Sequence, residues 1–228
     1  GANVLNDYFD YDTDKINRPD RSVVKGDITR DQALYLSLIS FTTGVYFALR
    51  LSSNSQIISL GISLPLLFLY NAKIKNYPLI GNIIVSIIIG LSFIYAGVVF
   101  ENVKPLIVPS LLAFGLTLIR EVVKDIADFK GDEAIGARTL PIVFGKKKAI
   151  YFCTILSILL SMAAFTLFLN GYYNIYYGVL LIITVEIPLG VVVISLLNKP
   201  HIETAKKAAK LLKFCTLGGL FSIYIGTL

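Results

Sequence analysis

The chain has 228 residues, 55% hydrophobic and only 16% charged, with a formal charge of +6 and a mean hydropathy of +0.72. A soluble domain carries about 25% charged residues. Here the apolar residues fall into runs of about 20, the length that spans a bilayer, without the polar face a soluble helix needs. A soluble enzyme is therefore excluded, and the basic balance is explained by membrane topology rather than by a nucleic-acid partner.

The first residues, Gly1–Phe9, read as the tail of an earlier span, so the chain is expected to be part of a longer protein. Seven full spans follow at 31–49, 56–70, 79–99, 106–124, 149–169, 175–197 and 208–228. Apolar runs of this length are helices, because lipid offers no partner for a backbone polar group. The expected fold is an all-α, polytopic transmembrane bundle, one domain over residues 1–228. Pro65 leaves the ends of the second span uncertain, and Glu186 lies in the middle of the sixth, beside Pro188. An ionisable group at that depth either contacts a ligand or bonds within the bundle; we favour the bundle. Cys153 and Cys215 lie inside apolar runs and read as packing residues, and a single His201 argues against His-built metal sites.

Of the 21 Lys and Arg residues, 19 fall at 15–30, 73–75, 120–148 and 199–213. These segments sit at alternate ends of successive spans, which predicts a multi-pass cell-membrane protein with all four on the cytoplasmic side. Acidic residues cluster more sharply: 7 of 15 lie between Asp7 and Asp31, and 5 between Glu121 and Glu133. Both clusters belong to the same face. They share an outline, Asp10-x-x-x-Asp14 before Arg18 and Asp128-x-x-x-Asp132 before Arg138, which suggests an internal repeat.

In the first cluster Asn6, Asp10 and Asp14 are four apart, within about 80° of one helical face. In the second, Glu121, Asp125, Asp128 and Asp132 make a stripe about 60° wide. Like charges so spaced destabilise a helix, more so near lipid. Two such stripes on one face call for a compensating cation. The oxygen-only set Asn6, Asp10, Asp14, Asp125, Asp128 and Asp132 points to Mg²⁺ or Ca²⁺, and its spacing does not suit an EF-hand. Asp10, Asp14, Asp128 and Asp132 are the expected catalytic carboxylates. Glu121 fits the stripe but also has Arg120 and Lys124 as neighbours. Asp12, Asp20, Asp27 and Asp31 read as solvated, with Asp27 or Asp31 a candidate helix cap. Lys15, Arg18, Arg21, Lys124, Lys130 and Arg138 are interleaved with the acids. They are suited to neutralising a departing diphosphate, or to setting topology.

These motifs resemble the UbiA superfamily of intramembrane prenyltransferases, whose signatures are N-D-x-x-D-x-x-x-D and a later D-x-x-x-D. Here they stand as Asn6, Asp7, Asp10, Asp14 and as Asp128, Asp132, with Asp125 one turn earlier. Asn17-Arg18-Pro19-Asp20-Arg21, Gly136 through Pro141, Tyr70 through Lys75 and Gly81-Asn82 also resemble the family, so the likeness covers the whole chain. It implies nine helices in the complete protein, a prenyl diphosphate bound through Mg²⁺, and a cavity open to lipid. It adds Tyr70 and Lys75 to Lys15, Arg18, Arg21, Lys124 and Arg138 as diphosphate contacts. The motif wording is most similar to archaeal members that join geranylgeranyl diphosphate to a lipid-like acceptor, geranylgeranylglyceryl phosphate, in ether-lipid synthesis. Transfer to an aromatic acceptor is the alternative within the class. An ion-coupled transporter is the alternative outside it, although a transporter would spread its carboxylates through the membrane.

Overall fold

The computed structural model describes residues 1–72 and 74–228; Lys73, one of the basic residues counted above, lies outside the described residues. Among these the chain is helical, with no strand. Two short helices, α1 (Ala2–Phe9) and α2 (Tyr11–Asn17), carry the first acidic motif, and α3 (Ser22–Lys25) follows. Next come α4 (Arg30–Ala48), α5 (Ser53–Ala72), α6 (Ile80–Val99) and α7 (Lys104–Ala127). The short α8 (Phe129–Ala134) and α9 (Leu140–Phe144) then lead into α10 (Lys146–Leu169), α11 (Ile175–Asn198) and α12 (Ile202–Gly226).

All seven expected spans are helices. Six, α5 to α7 and α10 to α12, are long and apolar enough to cross a membrane. The seventh, α4, has 19 residues but is less apolar. Its Ser40, Thr42 and Thr43 hydroxyls donate to the carbonyls four residues back, which satisfies them without water. Neither Asp27 nor Asp31 caps α4. Thr29 does, in a reciprocal pair: its hydroxyl accepts from the Gln32 N–H, and the Gln32 side chain accepts from the Thr29 N–H. The last helix starts six residues earlier than the apolar run predicts. Its lysines at 206, 207, 210 and 213 stand on the helix without ending it, since long basic side chains carry their charge toward water while the stem stays apolar.

The two spans that contain a mid-helix proline share a local distortion. Ile57–Ser63 precedes Pro65 and Ile182–Glu186 precedes Pro188, and both stretches are π-helical. A proline ring meets the carbonyl four residues back and offers no N–H; a wider turn just before it relieves that clash. Glu186 ends the second of these stretches and accepts a hydrogen bond from the Ser161 hydroxyl of α10 at 2.5 Å, the within-bundle arrangement favoured above.

Packing is centred on α7, which lies against α6, α10 and α12. Of its most apolar 18-residue stretch 56% is buried, against 11–28% for the other five spans. Its Ile119, Val122, Val123 and Ile126 meet Ile150 and Cys153 of α10, Leu189, Val192 and Leu196 of α11, and Leu212 and Cys215 of α12. Both cysteines are free and buried, as packing residues. Outward residues such as Ile39, Leu111, Ile158 and Ile183 are more than half exposed, the surface of a protein whose solvent there is lipid. The most buried helix therefore ends in the second acidic motif, so that motif stands on the firmest part of the fold.

Candidate active site

Each acidic motif bends at an aspartate. Asp10 closes α1 and opens α2 with φ −87° and ψ 6°; Asp128 does the same between α7 and α8 with φ −92° and ψ 4°. Helical hydrogen bonds run through both joints: Asp10 N to Asn6 O is 2.8 Å, Asp14 N to Asp10 O 2.7 Å, Asp128 N to Lys124 O 2.8 Å and Asp132 N to Asp128 O 3.1 Å. The stripes expected of straight helices survive as kinked ones. The same joint occurring twice supports the repeat outlined in the sequence.

The two motifs meet. Arg18 Nη2 donates to Asp128 Oδ2 at 2.6 Å, 110 residues away along the chain. Beside it Asn17 acts as a two-sided clamp: Nδ2 donates to the Asp128 carbonyl at 2.8 Å, and Oδ1 accepts from the Gly131 N–H at 3.0 Å. Only glycine fits at 131, because a Cβ there would lie 2.2 Å from Asn17 Nδ2. Lys75 pairs with Asp10. The turn that carries it, Ile74–Asn76, leans on Gly81 of α6, where a Cβ would come within 3.0 Å of Lys75 Cα.

These contacts surround an open cavity of about 60 Å³. Asp10, Thr13, Asp14 and Arg18 line it from the first motif; Glu121, Lys124, Asp125, Asp128 and Asp132 line it from the second; Tyr70, Lys75, Asn82 and Thr139 complete the wall. Two expected residues stand just behind the lining. Asn6 donates to Asp10 Oδ2 at 2.6 Å, and Arg21 pairs with Asp7 and lies 3.3 Å from Asp14 Oδ2. Two others face elsewhere: Lys15 pairs with exposed Asp12 at 3.1 Å, and Arg138 is exposed and outside the cavity wall. Lys130 lines a different cavity. Glu121 takes both partners open to it, Arg120 at 2.9 Å and Lys124 at 3.2 Å.

The electrostatics are those of crowded anions. Burial, with the Asp10 and Asp128 charges adding and Arg18 opposing, pushes the Asp14 carboxyl up to about 6. Burial and the neighbouring Asp128 push Asp132 up to about 7, against a weaker pull from the Thr139 hydroxyl. Asp128 is raised by burial despite Arg18. Asp14 Oδ2 is buried and accepts no hydrogen bond, Arg21 lying at ion-pair distance without the alignment for one. Among the described residues no three Asp, Glu, His or Cys side chains close on a point where they would hold an ion unaided. Such a site suits Mg²⁺, which takes one or two carboxylates and fills its shell with water and phosphate oxygens. It does not suit a metal that needs a full protein cage.

Asn82 holds the other carboxylate of the stripe, its Nδ2 donating to Asp125 Oδ2 at 2.9 Å. Thr13, Asn17, Gly131 and Thr139 were not among the expected site residues. Asn17 and Thr139 stand in segments that resemble the family, and Gly131 carried a local signal of its own, as a glycine inside a helical stripe, where it costs about 1 kcal/mol relative to alanine.

Comparison with known proteins agrees over the whole chain. A digeranylgeranylglyceryl phosphate synthase of Pyrococcus horikoshii is 38% identical over 227 residues, covering 100% of this chain and 80% of that protein. One from Methanosphaera stadtmanae is 33% identical over 227 residues, covering 100% and 83%. A solved structure of digeranylgeranylglyceryl phosphate synthase superposes with a TM-score of 0.73 at 34% identity, covering 99% of this chain and 80% of that one. A UbiA homologue from Archaeoglobus fulgidus, bound to DMAPP and Mg²⁺, shares the fold with a TM-score of 0.66 at 17% identity, covering 98% and 83%. The family model of the UbiA prenyltransferases matches residues 1–215, and the chain belongs to that family.

Proposed function

We propose that this prenyltransferase moves a geranylgeranyl group from geranylgeranyl diphosphate to geranylgeranylglyceryl phosphate, with Mg²⁺, at the cytoplasmic face of the membrane. One observation carries the site: two carboxylate-bearing joints and three cations, Arg18, Lys75 and Lys124, line a single cavity at the end of the most buried span. The acceptor follows from the relatives that share a third or more of their residues with this chain and are digeranylgeranylglyceryl phosphate synthases. The cytoplasmic assignment rests on the 19 of 21 basic residues at the motif-bearing ends of the spans.

Asn6, Asp10, Asp14, Asp125, Asp128 and Asp132 are the groups to hold the metal, which when bound supplies positive charge to the leaving diphosphate. Lys75 and Arg18 are now paired with Asp10 and Asp128. With Asp10 and Asp128 engaged in holding the metal, Lys75 and Arg18 would be free for the phosphate oxygens, where paired guanidinium hydrogen bonds are worth most as charge grows. Asn17 holds Asp128 at a fixed angle to α2 throughout. The C1–O bond of the prenyl diphosphate breaks, pyrophosphate leaves on the polar side, and an acceptor hydroxyl bonds to C1 and gives up its proton to the departing pyrophosphate. Water must stay out, because it would compete for C1.

The test is pyrophosphate release from geranylgeranyl diphosphate in detergent, with geranylgeranylglyceryl phosphate or 4-hydroxybenzoate offered as acceptor. Turnover is expected with the phospholipid precursor, dependent on Mg²⁺, and reduced by about 100-fold or more in Asp10→Ala and in Asp128→Ala. Turnover on the aromatic acceptor alone would overturn the acceptor, and full activity in the alanine variants would overturn the site.

A further inference from the structure

Behind the wall of the acidic cavity lies a second open cavity, of about 370 Å³, with the opposite charge. Lys130 of α8, Lys146 at the first residue of α10, and His201 and Lys206 at the start of α12 line it. Glu203 is the one carboxylate among its lining residues, and it is paired with Lys206 at 3.1 Å. Among the described residues neither Lys130 nor Lys146 has a carboxylate within 4 Å; the Lys146 ammonium lies instead over the Phe129 ring, 3.9 Å from its centroid. Three ammonium groups held around one space with one counter-charge repel each other unless an anion enters.

Two further facts favour an anion there. The helices α10 and α12 both begin at this cavity, with Gly145 and His201 as their N-caps and no side-chain capping hydrogen bond on either; α10 has no acid in its first turn and adds the positive end of its dipole, while α12 has Glu203 there, already paired with Lys206. All the lining elements are ends of spans or the short helices beside them, which puts the cavity at the level where lipid phosphates lie. Its wall also holds Ile16, Pro200 and Ile202, apolar groups suited to the glycerol end of a lipid rather than to open water.

We propose that this cavity is a phosphate-binding site, separate from the diphosphate site and filled by the headgroup of an anionic lipid in the same leaflet. It shares one wall with the acidic cavity: Asn17, which clamps Asp128 and Gly131, and Ala127, which precedes Asp128, both line it. An occupied site therefore braces the joint at Asp128 from behind. The inference does not depend on which acceptor is prenylated.

The experiment titrates the purified protein in neutral detergent with phosphatidic acid, with phosphatidylcholine as the zwitterionic control, and separately with inorganic phosphate, reading thermal stability. The double variant Lys146→Gln/Lys206→Gln is compared with wild type, and its retained prenyl transfer in lipid-free detergent shows that it folds. Phosphatidic acid is expected to bind saturably, and about 30-fold more weakly in the double variant, from roughly one lysine's worth of attraction at each position. Stabilisation by inorganic phosphate that the variant loses would identify free phosphate as a source and still support the site. Equal response of variant and wild type, or no preference for phosphatidic acid together with no effect of phosphate, would overturn it. So would binding lost in Lys75→Gln and kept in the double variant, because the headgroup would then lie in the acidic cavity.

Discussion

Gly131→Ala is a one-methyl change on the far side of a wall, and it is expected to disable the enzyme. The added Cβ would stand 2.2 Å from Asn17 Nδ2, 2.7 Å from its Cγ and 2.9 Å from its Oδ1, so the Asn17 side chain must leave. Its departure breaks two hydrogen bonds, Nδ2 to the Asp128 carbonyl and Gly131 N–H to Oδ1. Each is worth about 1 kcal/mol net. Alanine regains about 1 kcal/mol of helix propensity in α8, so Gly131→Ala should lower stability by about 1 kcal/mol. Asn17→Ala loses the same two bonds with no compensation, about 2 kcal/mol. In the double variant the clash is gone. The cost should be about 1 kcal/mol, against about 3 for the two singles added, a coupling of about 2 kcal/mol.

Turnover should suffer more than stability, because the clamp sets the position of Asp128 relative to Arg18. A displacement of about 1 Å at a reacting group costs about 100-fold. Thermal unfolding in detergent measures the first quantity and pyrophosphate release the second. Gly131→Ala should release pyrophosphate about 100-fold more slowly, and adding it to Asn17→Ala should slow release no further. A Gly131→Ala protein with wild-type turnover, or strictly additive stability losses, would show that the two motifs are not held by this contact.

Protonation of the acidic cavity predicts a pH dependence with a definite sign. The folded state holds protons on Asp14 and Asp132 up to about pH 6 and 7, above the ordinary carboxyl value of 3.8. Metal-free protein should therefore lose stability as pH rises from about 4 through 7. Mg²⁺ affinity, which needs those protons displaced, should rise over pH 6 to 7 and flatten above it; calorimetry in two buffers should detect proton release at pH 6 and little at pH 8, and equal release at both would refute the assignment. Among the cations, Arg18→Ala and Lys75→Ala should each slow turnover at least tenfold, while Lys15→Ala and Arg138→Ala stay within about twofold, because only the first two line the cavity; a large loss in Arg138→Ala would show that its loop moves inward. In the bundle, Glu186→Gln should unfold close to wild type, whereas Ser161→Ala, which removes the partner of the Glu186 carboxyl, should cost about 1–3 kcal/mol; no change in Ser161→Ala would mean that Glu186 has another partner.

The spans could be read from sequence because lipid enforces one rule along every stretch of chain, and α5 to α7 and α10 to α12 obey it. The rule is silent where a helix leaves the bilayer, so the start of α12 among its lysines was missed. Nor does it reveal π-helical stretches, although both precede the prolines that the sequence already displayed. The capping box at Thr29 and Gln32 is legible in the sequence, beside the more conspicuous acids Asp27 and Asp31. At the site, helical period carries more than charge adjacency. Arg18 is four residues after Asp14 and stays on the acidic face, while Lys15 is one residue after it, about 100° away, and pairs with Asp12 on the solvent side. Arg138 follows Gly136, whose φ of +69° ends the helix and redirects the chain, so the shared outline of the two motifs stops one residue type short of a true match.

No local signal marks the joints at Asp10 and Asp128, since neither has a proline or glycine to bend it. Their geometry belongs to the tertiary contact between the two motifs. Helix α2 lies on α8, and the approach is close only because residue 131 lacks a side chain and residue 17 has one that bonds in both directions. A pattern read along one helix cannot contain a fact about two. Asn17 and Gly131 are 114 residues apart, and nothing beside either one shows that it meets the other. What the acidic stripes did predict was a conflict of like charges, and the fold answers it in two ways at once. It lends Arg18 and Lys75 to Asp128 and Asp10, and it lets Asp14 and Asp132 keep protons at pH values where ordinary carboxyls have lost them. Both answers are reversible: were these carboxylates to hold a divalent cation, their protons would be given up and the two side-chain cations would be free for the phosphate oxygens.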